Sequence, residues 1–313
     1  MALAAATSSN IANIANTENL DTSLNVKRLS PVLGAEVTSF DVAGCTDAQF
    51  EQLLTAWDCA HGLLVLRDVH ISPAEHIAFA RRFGEPAMGT AGPHSILGHY
   101  WHPEFPAIYR VSNKVINGVP QGREDAGTYW HTDGTHGNTP SRCSLLHGLE
   151  LPPCGGDTIF ASLSTSYEAL SDTMKRLLQG LTAVHTLAKT LADGSQNSYA
   201  KELVGKADLA AAKTATHPVV RYHARTGHRS LFVNPGFTSH IVGMHSAESK
   251  ALLEFLFAHT TQQEFLYRHQ WRRNDLVIWD NTCTMHYAVS DYKAYGVRYM
   301  HRVSVKGETP VAA

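Results

Sequence analysis

The stretch LVIWDNTCTMHYAVSDYKAYGVRYMHRVSV, residues 276–305, places two apolar strand patterns on either side of a polar turn that contains His286. If VRYMHRVSV is a strand, Arg298, Met300 and Arg302 share one of its faces, because alternate side chains point the same way. Two guanidinium groups on an inward face are costly unless they meet anions. The pattern therefore indicates either a site for a carboxylate or salt bridges within the protein, to Asp280 or Asp291.

Short strand patterns recur along the rest of the chain, and a few helices are inserted between them. Many short strands with few helices favour a β-sandwich or barrel decorated by helices over alternating βαβ units. We predict one catalytic domain over residues 23–313, preceded by a flexible leader over residues 1–22. Helices are predicted at TDAQFEQLLTAWDCAHG (46–62), SPAEHIAFARRFGE (72–85), STSYEALSDTMKRLLQGL (164–181) and SAESKALLEFLFAHTTQ (246–262).

The composition excludes several classes of protein. With 43% hydrophobic and 17% charged residues among 313, the chain can bury a sizeable core and is not globally disordered. A net charge of -2 without a basic block argues against nucleic-acid binding. Five scattered cysteines without a CxxC pair indicate a reducing compartment. No apolar run approaches the ~20 residues that a transmembrane helix needs, so we expect a cytoplasmic protein without membrane contact.

A second polar stretch, YWHTDGTHG, residues 129–137, holds His131 and Asp133 two positions apart. In an extended segment both side chains point to the same side. A third neutral ligand would complete two imidazoles and one carboxylate, the arrangement that holds Fe(II) on one face. Taken alone, the tripeptide favours a simpler interpretation, in which His131 caps a turn and Asp133 forms an Asx turn.

Four motifs that occur in order along the chain favour the metal site over the simple polar turn. They are FARRFGE, YWHTDGT, GGDTIFAS followed by SYEALS, and VIWDNTCTMHYAVSDY with RYMHR, within residues 26–308. In these motifs the chain resembles the taurine dioxygenase / phenoxyacetate (2,4-D) dioxygenase family of Fe(II)- and 2-oxoglutarate-dependent oxygenases. The resemblance implies a mainly β fold, a double-stranded β-helix (jelly roll) with flanking and inserted helices. It also implies Fe(II), 2-oxoglutarate as co-substrate, and O2.

The resemblance assigns roles position by position. His131, Asp133 and His286 match the iron ligands. Thr158, in GGDT, matches the residue that hydrogen-bonds the distal carboxylate of 2-oxoglutarate, and Arg298 matches the arginine that pairs with that carboxylate.

Arg302 matches a second arginine, which in relatives lies near the co-substrate and sometimes near an anionic group of the substrate. Asp133 argues against iron halogenases of related fold, which carry Gly or Ala at that position.

Substrate contacts are expected from the loop PHSILGHYWHPEF (93–105), from the end of the strand YRVSN, and from the residue five after His131. The candidates are Trp101, His102, Asn113, His136 and Arg302. By resemblance, His102 is the candidate with the best spacing for a histidine that binds an anionic group. For His102, Asn113 and His136, packing or solvation is an equally open interpretation.

The expected reaction is hydroxylation of a small, anionic organic metabolite with release of succinate and CO2. Desaturation, cyclisation and C–N or C–O cleavage remain open alternatives, because all begin with the same hydrogen abstraction. A non-catalytic binding protein of this fold is disfavoured by the complete set of ligands and arginines. A zinc hydrolase is disfavoured because the chain has no HExxH motif. Members of the family are often oligomers, so a homo-oligomer is expected.

Overall fold

The computed structural model describes residues 24–89, 100–189 and 213–313, and short strands dominate them. The predicted leader and residues 93–99 of the substrate loop lie outside these ranges. In chain order the strands are β1 (Asn25–Arg28), β2 (Ala35–Thr38), β3 (Leu63–Leu66), β4 (Ile108–Ser112), β5 (Val115–Ile116), β6 (Val119–Pro120), β7 (Cys143–Glu150), β8 (Thr158–Ser162), β9 (Thr182–Thr186), β10 (Thr214–Pro218), β11 (Val220–Tyr222), β12 (Arg229–Leu231), β13 (Thr238–Ile241), β14 (Leu266–His269), β15 (Leu276–Asp280), β16 (Thr284–Ala288) and β17 (Tyr299–Val305).

Five α-helices accompany the strands in the described ranges. They are α1 (Asp47–Cys59), α2 (Pro73–Arg81), α3 (Leu163–Glu168), α4 (Asp172–Leu178) and α5 (Ser246–Thr260). The predicted helices at the first, second and last of these positions are confirmed. Thr46 and Ser72 each form a capping box with the residue three positions later, so the helix starts follow directly from local hydrogen bonds.

The prediction of one continuous helix over residues 164–181 is wrong. The chain forms α3 and α4 there, because the Ser171 hydroxyl accepts from the Met174 amide and starts a second helix. The leucines of this segment do not share one buried face. Leu170 and Leu178 are buried, whereas Leu177 is 51% exposed.

The largest sheet has seven strands in the order β1-β2-β3-β15-β7-β17-β4. Its neighbours are antiparallel, except for the parallel pair β2–β3. The interior strand β3 is buried on both faces, which explains its uninterrupted apolar sequence. Leu64 and Leu66 pack with α1 and α2, whereas Leu63 and Val65 point to the opposite face.

That opposite face is covered by a three-stranded sheet, β14-β8-β16. Phe160 of β8 packs in one cluster with Trp279 of β15 and Met300 of β17, and the Phe160 and Trp279 ring centroids are 5.6 Å apart. The molecule is thus a mixed α/β protein dominated by sheets, in which β16 and its His286 face the larger sheet across an apolar core. No helix in the described ranges is long and apolar enough to cross a membrane.

Phe160 provides a test of this inter-sheet core. Phe160→Ala should lower the free energy of unfolding by about 3–5 kcal/mol, because a fully buried ring is replaced by a cavity. The matched control is Phe255→Ala on α5, where the ring is 45% exposed and the loss should be under about 1 kcal/mol. Urea unfolding followed by circular dichroism measures both. Equal losses would contradict the packing of the two sheets described here.

Candidate metal and co-substrate site

His131 and His286 lie directly opposite each other in an antiparallel backbone pair. The His131 amide donates to the His286 carbonyl at 3.0 Å, and the His286 amide donates to the His131 carbonyl at 2.8 Å. Their ring centroids are 4.1 Å apart. Residues paired in this way hold their side chains side by side on one face of a sheet. The pairing adds the segment around residue 131 to the free edge of β16, so two imidazoles from distant stretches share one position.

Asp133 brings a carboxylate to the same point. Its Oδ1 lies 3.6 Å from His131 Nε2, and the ligand atoms of His131, Asp133 and His286 all lie within 4.8 Å of one another. All three residues are buried. The structure therefore brings together the three residues that the sequence analysis assigned to iron.

Electrostatics sets the charge of this group. Burial alone would raise the pKa of Asp133, but the Arg302 charge and the two imidazoles hold it well below its usual range. Burial and the neighbouring His131 ring hold the pKa of His286 well below its usual range. The carboxylate is thus ionised and the His286 ring neutral at physiological pH, which is the state that a metal ligand requires.

The His131 ring also has the tautomer that a metal needs. Its Nδ1 lies 2.8 Å from the Tyr129 carbonyl, which can only accept, so Nδ1 carries the proton. The lone pair of a neutral ring is then on Nε2, the atom that faces Asp133. A backbone carbonyl that fixes a ligand histidine in this way is a common partner in metal sites.

A second buried cluster, His223, Asp280 and Cys283, has similar spacing but different hydrogen bonds. The Thr226 amide donates to His223 Nδ1 at 3.1 Å, so the ring proton is on Nε2 and is donated to Asp280 Oδ2 at 3.1 Å. A neutral imidazole that binds metal through Nε2 needs its proton on Nδ1, where the Thr226 N–H already points. The hydrogen bonds of this cluster stabilise the turn before β16, and they use Asp280 Oδ2 as an acceptor.

Arg298, just before β17, is in a different electrostatic situation. It is 3% exposed, and burial lowers its pKa to about 10, so it stays charged at neutral pH. Its Nε donates to the Gly156 carbonyl at 3.1 Å, and its Cζ lies 5.8 Å from the ring centroids of Trp271 and Tyr292. Among the described residues no carboxylate lies within salt-bridge distance of it. Asp291 accepts instead from the Gly156 amide, so the predicted alternative of internal salt bridges to Asp280 or Asp291 is wrong.

The turn before β8 makes room for this guanidinium. Gly156 has φ +74, and a Cβ at that position would lie 3.1 Å from Arg298 Cδ. The GGDT motif thus provides a left-handed turn, and it also lets the Arg298 side chain approach the backbone closely. Two residues further on, the Thr158 hydroxyl accepts from Trp271 Nε1 at 3.0 Å, which leaves its own proton free for an acceptor.

Arg302 contacts the carboxylate of Asp133 directly. Its Nη1 donates to Asp133 Oδ1 at 3.2 Å, and its Cζ lies 5.0 Å from the Tyr109 ring centroid. Its Nε is buried without a hydrogen-bond partner in the described part of the chain. The Trp101 ring meets Tyr109 edge-on, with centroids 5.1 Å apart. Trp101, Tyr109 and Arg302 therefore form a continuous wall that leads to Asp133.

Two of the predicted substrate residues have structural tasks. The Nδ1 of His102 accepts from the backbone amides of Glu104 and Phe105, both at 3.2 Å, and its ring lies edge-on to His301. The Asn113 amide is bonded at both ends to backbone, since its Oδ1 accepts from Arg298 N at 2.8 Å and its Nδ2 donates to the Gly296 carbonyl at 3.0 Å. Asn113 therefore aligns the start of β17.

His136 packs against the ring of Phe237. The two ring centroids are 5.1 Å apart, and the Phe237 ring is also 6.1 Å from His131. Burial lowers the pKa of His136 to about 4, so its ring is neutral. Its Nδ1 is buried and has no partner in the ranges that the structure describes. His217 of β10 stabilises the loop that carries His136, because its Nε2 lies within hydrogen-bond distance of the carbonyls of Thr135 and Gly137.

Three site residues were not selected from the sequence: Trp271, Tyr109 and Ser144. Trp271 lies in the connection between β14 and β15, where no periodic pattern marks it. Tyr109 reads as an ordinary strand residue. Ser144 offers one usable signal, because it is a hydroxyl inside the otherwise apolar start of β7, where a buried polar group needs a partner.

The chain was compared with known proteins. Residues 25–304 match a family model described as Taurine catabolism dioxygenase TauD, TfdA family. An alkylsulfatase of Acinetobacter baylyi is 30% identical over 299 residues, which cover 95% of this chain and 89% of the relative. An alpha-ketoglutarate-dependent 2,4-dichlorophenoxyacetate dioxygenase of a Burkholderia species is 31% identical over 269 residues, which cover 84% of this chain and 88% of the relative.

A solved structure, AAD-2 in complex with Mn(II) and N-oxalylglycine, superposes with a TM-score of 0.72 at 25% identity and covers 93% of this chain and 100% of that chain. Fold, site and comparisons together define the protein as a 2-oxoglutarate-dependent dioxygenase, an oxidoreductase that acts on small organic substrates. Within that class, the chain belongs to the TauD/TfdA family.

The two buried clusters, His131–Asp133–His286 and His223–Asp280–Cys283, are expected to differ in metal content. Protein loaded with Mn(II) and dialysed should hold one ion per chain, and His131→Ala should lose it, because one of the three ligand atoms is removed. Cys283→Ala should keep the full stoichiometry, since its cluster is satisfied by hydrogen bonds. Elemental analysis measures both variants after circular dichroism has verified folding. Loss of the ion in Cys283→Ala alone would show that the clusters have been assigned the wrong way round.

Proposed function

We propose that this protein is an Fe(II)- and 2-oxoglutarate-dependent dioxygenase that hydroxylates a small anionic metabolite and releases succinate and CO2. One observation carries the proposal: an ionised carboxylate and two imidazoles converge between the two sheets, with His131 and His286 paired through their backbones. Two nitrogen donors and one carboxylate are the donor set of non-haem Fe(II) oxygenases. His131, Asp133 and His286 are the proposed ligands, and the Mn(II) bound by AAD-2 supports a divalent ion in this family.

When bound, Fe(II) would supply the activation of O2 and the oxidative decarboxylation of 2-oxoglutarate. The ligand residues would hold it from one side and leave the other positions open. The chain's own contribution is to keep the three ligand atoms in place before the metal arrives. Both sheets shield the site from water, since His286 packs between Phe160 and Trp279.

The distal carboxylate of 2-oxoglutarate is assigned to Arg298 and Thr158. The buried Arg298 guanidinium lacks a carboxylate partner in the described structure, and an anionic co-substrate would supply one. Trp271 donates to the Thr158 oxygen, which turns the hydroxyl proton outward for a carboxylate to accept. N-oxalylglycine has the skeleton of 2-oxoglutarate with an NH in place of one methylene, so its presence in AAD-2 supports 2-oxoglutarate as the co-substrate.

The substrate is assigned to the wall of Trp101 and Tyr109, with Arg302 and His136 as its polar groups. The Arg302 Nε, buried without a described partner, can donate to an anionic group, which favours an organic acid or a sulfate ester. His136 is neutral and offers a hydrogen-bonding nitrogen, which suits an uncharged oxygen of the substrate. The names of the two curated relatives, an alkylsulfatase and a phenoxyacetate dioxygenase, are consistent with an anionic substrate.

We further propose that the fold is a double-stranded β-helix (jelly roll). The packing of the β14-β8-β16 sheet over the larger sheet, with the site between them, supports a double-stranded β-helix. A single catalytic domain over residues 23–313, a homo-oligomeric state and a cytoplasmic location stay predictions from the sequence.

Asp133→Ala tests the proposed function. A library of small carboxylates, sulfonates and sulfate esters is incubated with Fe(II), 2-oxoglutarate and O2, and succinate release is measured. The wild type should turn over at least one member, and Asp133→Ala should fall at least about 100-fold, because the only anionic ligand is lost. Asp172→Ala, an exposed aspartate on α4, is the matched control and should keep full activity. Turnover that survives in Asp133→Ala would refute the ligand assignment.

Arg298→Met tests the co-substrate assignment. The KM for 2-oxoglutarate should rise about 100-fold or more, because the incoming carboxylate loses a buried, charged partner. The control is Arg225→Met, which removes a surface guanidinium paired with Asp58 and should leave the KM unchanged. Initial rates at varied 2-oxoglutarate concentrations measure both. An unchanged KM in Arg298→Met would mean that the co-substrate carboxylate binds elsewhere.

A further inference from the structure

The two oxygens of the Asp133 carboxylate have different partners. Oδ1 faces His131 Nε2 at 3.6 Å and accepts from Arg302 at 3.2 Å. Oδ2 is turned the other way and accepts from the hydroxyl of Ser144 at 2.7 Å. Ser144 lies on β7 of the larger sheet and is fully buried. The strand thus presents a hydroxyl to the carboxylate oxygen that does not face His131.

The direction of this hydrogen bond is set by a chain of donors. Trp279 Nε1 donates to Asn281 Oδ1 at 3.1 Å, and the Asp133 amide donates to the same oxygen at 3.3 Å. Two donors at that atom identify it as the oxygen of the Asn281 side chain. Its Nδ2 therefore points to Ser144 Oγ, at 3.4 Å, and occupies a lone pair of the hydroxyl. The Ser144 proton is left for Asp133, whose ionised carboxylate can only accept.

We propose that Ser144 is a positioning residue that holds Asp133 as a one-oxygen metal ligand, with Oδ1 toward the metal and Oδ2 kept out of the coordination sphere. The proposal rests on the proposed function, because it takes Asp133 as a ligand. It assigns a task to the Trp279–Asn281–Ser144 chain of hydrogen bonds: the chain sets the rotation of the carboxylate.

One-oxygen binding matters because 2-oxoglutarate and O2 need the remaining coordination positions of the metal. A carboxylate free to rotate can bind through both oxygens and take a position that 2-oxoglutarate or O2 requires. Hydrogen bonds to the far side of ligand residues also tune affinity, and their loss typically costs about 10–100-fold in metal binding. Ser144 supplies such a bond from a rigid strand between two others, β15 and β17.

The neighbouring strand offers a matched control. Ser304 of β17 pairs with Ser144 in register, and the two hydroxyl oxygens are 3.3 Å apart. Ser304 contacts Ser144 in this way and has no hydrogen bond to Asp133 among the contacts of the described residues. Removing the Ser304 hydroxyl therefore perturbs the same region of the sheet and leaves the Asp133 contact in place.

The experiment is an anaerobic titration of the metal-free full-length protein with Co(II), read by visible absorption, which reports both affinity and coordination. Ser144→Ala should weaken Co(II) binding at least about tenfold and shift the absorption bands, since both follow from a freed carboxylate oxygen. Ser304→Ala should match the wild type. The pair Ser144→Thr and Ser144→Val has nearly equal shape, so it separates the hydroxyl from packing: the threonine should restore the affinity and spectrum, and the valine should not.

The outcomes distinguish this proposal from the one it rests on. Thermal unfolding of each metal-free variant verifies that it is folded before titration. If Asp133→Ala loses Co(II) while Ser144→Ala and Ser144→Val bind it with wild-type affinity and spectrum, the positioning role is overturned and the proposed function stands. If the wild type binds no Co(II), or Asp133→Ala binds it unchanged, the proposed function fails and the Ser144 proposal fails with it.

Discussion

The backbone pair between His131 and His286 is the constraint on which the site depends. Two hydrogen bonds across 155 positions of sequence hold the imidazoles side by side. Neither histidine lies in a helix, where i and i+4 spacing would bring two ligands together locally. The site therefore exists only if β16 packs on the larger sheet and the segment around residue 131 pairs with its edge.

The charged residues of the site, Asp133 and Arg298, differ in their partners. Asp133 is surrounded by donors, with Arg302 at one oxygen and Ser144 at the other, so it is ionised despite its burial. Arg298 is buried with two aromatic rings and a carbonyl as neighbours, and no described carboxylate offsets its charge. A buried cation of this kind is destabilising in the free protein and becomes favourable when an anion binds. This cost is the reason why Arg298 is the proposed partner of the anionic co-substrate.

Local patterns predicted the local structure well. The caps at Thr46 and Ser72 place the starts of α1 and α2, because a capping box is satisfied within four residues. Ser171 is a capping serine of the same kind, and it divides the segment 164–181, predicted as one helix, into two. A capping residue in the middle of a periodic pattern outweighs the pattern, because it satisfies a backbone amide that would otherwise need the preceding turn.

By itself, the sequence determined the chemistry of the site residues: the three metal-ligand candidates, the GGDT threonine, and two arginines on one face of the last strand. The family resemblance assigned their roles, because the motifs occur in order and at matching separations. Only the tertiary structure decided how those groups are used. It separated Arg298, which has no described carboxylate partner, from Arg302, which is paired with Asp133, although the alternating pattern predicts both on one strand face. In the structure β17 begins at Tyr299, and Arg298 lies just before it. The tertiary structure also brought in Ser144, Tyr109 and Trp271, whose parts in the site come from contacts between strands far apart in sequence, which no local pattern records.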